Sequence, residues 1–130
     1  MAKILLVDDD PVLLQLLAKQ LENSNHLITR ANSGSECLAI AAREKFDLII
    51  TDVLMPDFDG YELTRRLRAR PGTRDTLIQI FTASLQGPEQ DKARLAGADG
   101  YAMKSVVVNR LNQQIESLLA RGRAAPAKTP

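Results

Sequence analysis

At 130 residues the chain is long enough to build one domain around its own hydrophobic core, without disulfides or a structural metal. A formal net charge of +1 gives no global argument for nucleic acid, a membrane surface or acidic substrates as direct partners. One cysteine and one histidine exclude an internal disulfide, a thiolate metal cluster and any site built on several imidazoles, and no apolar run approaches the ~18–20 residues of a membrane helix.

A reducing cytosol is the setting these features predict. In chain order, "KILLV" (Lys3–Val7) has the continuous apolar character of a buried strand. Asp10-Pro11 then opens a helix, with an acceptor at the N-cap and proline in the first turn, and Leu14, Leu17 and Leu21 share its apolar stripe. His26 lies in the polar turn signal "ENSNHL" and is expected to be exposed. "HLITRA" is a more polar strand, as an edge strand would be. "SGSE" (Ser33–Glu36) has the spacing of a capping box, and a helix should run from it to about Lys45. Cys37 on that helix reads as a small buried apolar residue.

"FDLIIT" is a third strand and "DVLMPDFDG" a loop, followed by the basic helix "YELTRRLRAR", closed by Pro71-Gly72. "LIQIFT" (Leu77–Thr82) is a fourth strand. A helix should start near Pro88 and end at Ala96-Gly97, where glycine permits a left-handed cap. "GYAMK" is a fifth strand, and a last helix carries Val108, Leu111, Ile115 and Leu118 on one face. A domain is expected over 1–121, with the aperiodic 122–130 as a disordered tail or the start of a linker.

Strands alternating with helices predict an α/β fold: a flavodoxin-like, doubly wound parallel sheet of five strands with helices on both faces. The order 2-1-3-4-5 opens a crevice at the carboxyl ends of strands one and three. The first strand ends at Asp8-Asp9, the third at Thr51-Asp52, the fourth at Thr82 and the fifth at Lys104, all on one edge. Asp10 is assigned to the helix cap. Carboxylates crowded together without an arginine call for a hard divalent cation, and Mg²⁺ is suited to one or two carboxylates plus a phosphate. Lys104 and Thr82 add a charge and a hydroxyl suited to a phosphoryl group. The implied chemistry is phosphoryl transfer at a carboxylate.

"VDDD" (Val7–Asp10), "DVLMPDFDG" (Asp52–Gly60), "TAS" (Thr82–Ser84) and "AGADGYAMK" (Ala96–Lys104) are each modest motifs, but in this order and spacing they are specific. The chain resembles a response-regulator receiver domain of two-component signal transduction, over roughly residues 2–121. The resemblance implies that Asp52 is the phosphoacceptor and that Asp9, Asp52 and the Leu54 carbonyl bind Mg²⁺, with Asp8 helping partly through water. It implies phosphoryl contacts from Thr82 and Lys104, and an aromatic switch at Tyr101. The partners implied are a sensor histidine kinase or phosphotransfer protein, and an output domain or downstream protein. The signal is expected to leave through the face of the fourth helix, fifth strand and last helix, with self-association there as a corollary. The resemblance also implies that the domain catalyses its own phosphotransfer and dephosphorylation and is not an enzyme acting on a separate substrate. Leu54 and Ser84 should flank the attacking water, and an apolar Leu54 predicts slow self-hydrolysis. One departure is Ser105, where the family usually has a cis proline. The high cost of a cis bond before a non-proline residue predicts a trans peptide at Lys104-Ser105.

Three alternatives compete. Asp8 to Val12 fits the D-x-D-x-[T/V] signature of haloacid-dehalogenase phosphatases, but their later acidic pair is missing from "FTASLQG", and a substrate-recognising cap has no room. A flavin mononucleotide protein would need a hydroxyl-rich phosphate cradle where "DDDPVLL" stands. A pseudo-receiver that only mediates contacts would not need the acidic site.

Overall fold

A computed structural model of the chain describes residues 2–82, 87–103 and 108–122, with side chains except at 87–88 and 108–112. Strands β1 (Lys3–Val7), β2 (Leu27–Ala31), β3 (Leu48–Thr51), β4 (Leu77–Thr82) and β5 (Gly100–Met103) form one parallel sheet in the order β2-β1-β3-β4-β5. Between and after them lie α1 (Pro11–Glu22), α2 (Gly34–Arg43), α3 (Gly60–Arg68), α4 (Gly87–Ala96) and α5 (Val108–Arg121). The flavodoxin-like, doubly wound fold and its strand order are as the alternating pattern predicts. Val7 pairs with both Ala31 and Thr51, and Thr51 pairs with Ile80. Asp8 and Asp52, each one residue further on, therefore leave neighbouring strands at the same level.

Strand alternation divides the core. Ile4, Leu6, Leu48 and Ile50 face one way and pack with Leu14, Leu17 and Leu21 of α1 and Ile115 and Leu118 of α5. Leu5, Val7, Ile49 and Ile78 face the other way, against Cys37 and Leu38 of α2 and Leu63 and Leu67 of α3. Ile80 meets Ala93 and Ala96 of α4. Burial pushes the Cys37 thiol up to about 12, so it stays a neutral apolar filler, as expected. β2 is the polar edge strand, with only Ala31 fully buried.

The caps follow the sequence closely. The Asp10 carboxylate accepts from the Val12 and Leu13 N–H groups at 3.0 and 3.3 Å. Ser33 Oγ accepts from the Glu36 N–H at 3.0 Å, and Glu36 Oε1 accepts from the Asn32 N–H at 2.7 Å, one residue earlier than in a standard capping box. Gly97, at φ 105°, ends α4. α2 stops at Arg43 and α3 at Arg68, both earlier than expected. For α3 the cause is visible: Arg70 precedes a proline and is disfavoured in helical geometry, while the Thr73 hydroxyl donates to the Leu67 carbonyl at 2.6 Å. The Val108 and Leu111 side chains and residues 123–130 lie outside the described residues.

His26 corrects an expectation. It is buried, not exposed. Its Nδ1 accepts from the Ala2 N–H at 3.1 Å, which leaves Nε2 as the donor to Glu116 Oε2 at 2.5 Å. The imidazole thus joins the amino end of β1, the turn before β2, and α5. A second tie also escapes the sequence pattern. Arg68 donates to the carbonyls of Gly97, Arg74 and Thr76 at 3.0, 2.9 and 2.6 Å and to Asp99 at 2.7 Å. Asp99 Oδ2 also accepts from the Ile78 N–H at 2.9 Å. One guanidinium fastens α3, the loop before β4, the end of α4 and the entry to β5.

Replacing Arg68 with leucine leaves Asp99 buried without its cation and strands the four carbonyls of Thr73, Arg74, Thr76 and Gly97. The expected loss is about 3–5 kcal/mol of unfolding free energy, read from urea denaturation, whereas Arg74→Leu on the exposed surface should change it little.

Candidate functional site

Asp8, Asp9 and Asp52 converge at the carboxyl edge of the sheet, with one oxygen of each lying within 4.8 Å of the others. Asp8 and Asp52 are buried and Asp9 is exposed. Asp8 Oδ1 accepts from the Asp10 N–H at 3.0 Å, which fixes the turn out of β1 and sends the Asp10 carboxylate away to cap α1. Commitment of Asp10 to the Val12 and Leu13 amides also removes it from the acid–base role that a haloacid-dehalogenase phosphatase would require.

Asp52 is held from several sides. Its N–H donates to the Val7 carbonyl at 2.9 Å, its Oδ1 accepts from the Val53 N–H at 2.7 Å, and its carbonyl accepts from the Thr51 hydroxyl at 2.9 Å. The Gly60 N–H donates to the Val53 carbonyl at 2.8 Å, bringing the start of α3 hard against the end of β3. A Cβ on Gly60 would lie 2.1 Å from the Asp52 carbonyl oxygen, so only glycine fits. Asp59 then caps α3 by accepting from the Glu62 N–H at 2.8 Å.

The donor set fits a hard divalent cation. Oxygens around Mg²⁺ sit at about 2.0–2.1 Å from the ion in octahedral geometry, hence roughly 3–4 Å from each other. The 4.8 Å limit on the cluster's oxygens is close to that spacing. Thr82 is buried at the end of β4, and Tyr101 is 41% exposed on the edge strand β5, where it pairs with Ile80. Leu54, in the loop after β3, is exposed. Lys104, Ser84 and the Lys104-Ser105 peptide lie outside the described residues; Lys104 follows Met103, the partner of Thr82.

Sequence reasoning missed two contacts beside the cluster. The Tyr61 hydroxyl donates to Glu89 Oε2 at 2.7 Å, joining α3 to the first turn of α4; burial first, then the Glu89 carboxylate, pushes the Tyr61 hydroxyl well above its ordinary range. Asp57, in the loop after β3, reaches the start of α2. Neither has a signal in local spacing, because each depends on how two helices or a helix and a loop meet.

Gly60→Ala tests how tightly the Asp52 backbone is enclosed. Overpacking against main chain should cost about 1–3 kcal/mol, seen as a lower urea midpoint together with displaced amide resonances at Asp52 and Val53. An unchanged midpoint would mean that the loop yields freely.

The chain matches the family model of the response regulator receiver domain over residues 4–116. It is 37% identical, over 98% of its length, to the virulence sensor protein BvgS of Bordetella pertussis, of which it spans 11%. It is 32% identical to the protein PilH of Pseudomonas aeruginosa, the match covering 92% of this chain and 99% of PilH. The solved structure of the chemotaxis response regulator CheY4 of Vibrio cholerae superposes with a TM-score of 0.87 at 29% identity, covering 91% of this chain and 98% of that one. With the same sheet order, an acidic cluster at the β1–β3 switch point and a family match over most of its length, the chain belongs to the response regulator receiver domain family of two-component signalling.

Proposed function

We propose that this domain accepts a phosphoryl group on Asp52 from the phosphohistidine of a sensor histidine kinase or phosphotransfer protein. The observation that carries the proposal is the convergence of the Asp8, Asp9 and Asp52 oxygens within 4.8 Å of one another at the end of the sheet. In the transfer an Asp52 oxygen attacks phosphorus, the P–N bond breaks, and the imidazole leaves with the electron pair and takes up a proton. The product is an acyl phosphate. Water later attacks phosphorus, the P–O bond to Asp52 breaks, and inorganic phosphate leaves.

Asp8, Asp9, Asp52 and the Leu54 carbonyl are the groups that would hold Mg²⁺. When bound, the cation supplies positive charge against the carboxylates and phosphoryl oxygens. Thr82 and Lys104 are assigned the phosphoryl-oxygen contacts. Exposed and apolar, Leu54 cannot orient water, which fits a long-lived acyl phosphate.

Movement of the buried Thr82 hydroxyl towards the phosphoryl group leaves space for the Tyr101 ring, which shifts the population of two states of the α4–β5–α5 face. The shift is limited to the difference in affinity of the phosphoryl group for those states. The receiver unit is taken as 1–121, with 122–130 as tail or linker. Relatives carry the domain both as nearly a whole protein, in PilH, and as a small part of one, in BvgS. The output is accordingly either an attached domain or a separate protein. A cytoplasmic location agrees with a histidine-kinase donor, and among the described residues no helix is long and apolar enough to cross a membrane.

With Mg²⁺ and a small phosphodonor, borohydride trapping and peptide mapping should place the label on Asp52, and Asp52→Asn should remain folded and unlabelled. Label on Asp8 would support the phosphatase alternative and overturn this reading. Beryllofluoride with Mg²⁺ should shift amide resonances from Asp8 and Asp52 through to Tyr101. Shifts confined to the acidic cluster would remove Tyr101 from the switch.

A further inference from the structure

The loop from Val53 to Asp59 links the acidic cluster to α3, yet its own backbone is sparsely held. Val53 is closed onto Gly60 by the 2.8 Å bond already described. Beyond it, among the described residues, no hydrogen bond engages the main chain of Leu54, Met55 or Pro56. Met55 is held through its side chain alone, packed against the core beneath α2 and α3 with its sulfur 3.9 Å from the Thr51 hydroxyl, and the next polar anchor is Asp57. Its Oδ2 accepts from the Ser35 N–H at 2.7 Å and the Ser35 hydroxyl at 2.6 Å, and its Oδ1 accepts from the Gly34 N–H at 3.2 Å and the Phe58 N–H at 2.9 Å.

Gly34 and Ser35 are the first two residues of α2, so the loop supplies the carboxylate that satisfies the free amides at that helix's amino end. Ser33, the helix's own N-cap, covers only the third amide, that of Glu36. The neighbouring Phe58 ring occupies the space beside Gly34, where a Cβ would lie 2.4 Å from the ring, and the Arg66 guanidinium sits 4.0 Å from the ring centroid. The Ser35 hydroxyl, ahead of the backbone amides, holds the Asp57 carboxyl far below the usual carboxylate range. The carboxylate is therefore charged at neutral pH, as a cap aligned with the helix dipole requires.

We propose that Asp57 is a positioning residue for divalent-cation binding: by capping α2 from the loop, it adds to the Met55 packing the polar anchor that fixes the main chain after Asp52, including the Leu54 carbonyl. The inference rests on the assignment of Asp8, Asp9, Asp52 and the Leu54 carbonyl as the cation's ligands. Asp57 touches no ligand atom and acts through the loop. Its loss leaves the three carboxylates present but lets one wall of the site wander. The entropy of ordering that wall is then charged to each binding event.

The test is titration of the full chain with Mg²⁺ at neutral pH, followed calorimetrically and by amide shifts. It compares wild type with Asp57→Ala, Asp57→Asn and Ser33→Ala. Ser33→Ala removes a cap from the same helix end without touching the loop, so it separates loop positioning from helix weakening. Asp57→Ala should weaken Mg²⁺ binding about tenfold, the low end for an outer residue that orients a metal site. Asp57→Asn keeps an acceptor oxygen and should fall between it and wild type, while Ser33→Ala should bind as wild type does. If Asp57→Ala does not fold, the order wild type, Ser33→Ala, Asp57→Asn carries the test. Wild-type affinity in the Asp57 variants overturns the proposal, and so does an equal loss in Ser33→Ala. Failure of the wild-type chain itself to bind Mg²⁺ overturns both the proposal and the ligand assignment beneath it.

Discussion

Carboxylate oxygens of Asp8, Asp9 and Asp52 held within 4.8 Å of one another repel, and the fold is arranged so that the chain cannot relieve the repulsion by moving them apart. Asp8 and Asp52 sit one residue beyond the Val7–Thr51 pair of a central, doubly flanked pair of strands, where a slip of register would turn two apolar faces inside out. Asp52 is further confined by the Val7 carbonyl below it and by Gly60 beside it. Asp10 is led away into a helix cap, which keeps a fourth carboxylate out of the cluster. Any cation that enters relieves the mutual repulsion, so that relief is part of its affinity.

Such a cluster has to be underwritten from elsewhere in the molecule. The two layers of aliphatic side chains do most of this, and the opposite edge of the sheet adds two polar ties. The Arg68–Asp99 pair is buried, with 13% and 6% of the side chains exposed, and a buried ion pair gains little over well-packed apolar residues. What it contributes is definition: a planar fork with several fixed acceptors admits one placement of the α4 end relative to α3 and β5. His26 does the same for α5, with an imidazole whose two nitrogens have different partners. Both ties lie at the amino edge, away from the crevice.

The division between what could be read in the chain and what could not follows sequence distance. β1, β3 and β4 were legible because strands buried on both faces must be apolar throughout, and Asp10-Pro11 because a cap and a fixed proline φ act within one turn. Strand order followed from alternation and crossover handedness, which brought Asp8, Asp9, Asp52 and Thr82 to one edge. His26 was misjudged because its neighbours in "ENSNHL" are polar, whereas its burial is set by Glu116, 90 positions away. Arg68 read as one charge among many on a basic helix, since its acceptors are main-chain carbonyls, which carry no residue signature. Asp57 was simply part of the loop "DVLMPDFDG", since its partners lie 22 residues back, at Ser35.

The strand order also bears on how the domain is assembled in time. β1 pairs with β2 on one side and β3 on the other, so the first three strands of the chain are contiguous in the sheet, whereas β4 and β5 are added outward from β3. All three clustered aspartates lie within the first 52 residues, on that early-emerging triplet, while Thr82 and Tyr101 belong to the strands laid down afterwards. During synthesis the amino-terminal βαβαβ segment can collapse with mostly short-range crossovers, which favours early formation. The outer strands then dock against a finished edge. A domain grown in this order receives β4 and β5 last, and α5 then closes it by packing Ile115 and Leu118 back onto α1 and the first-formed strands.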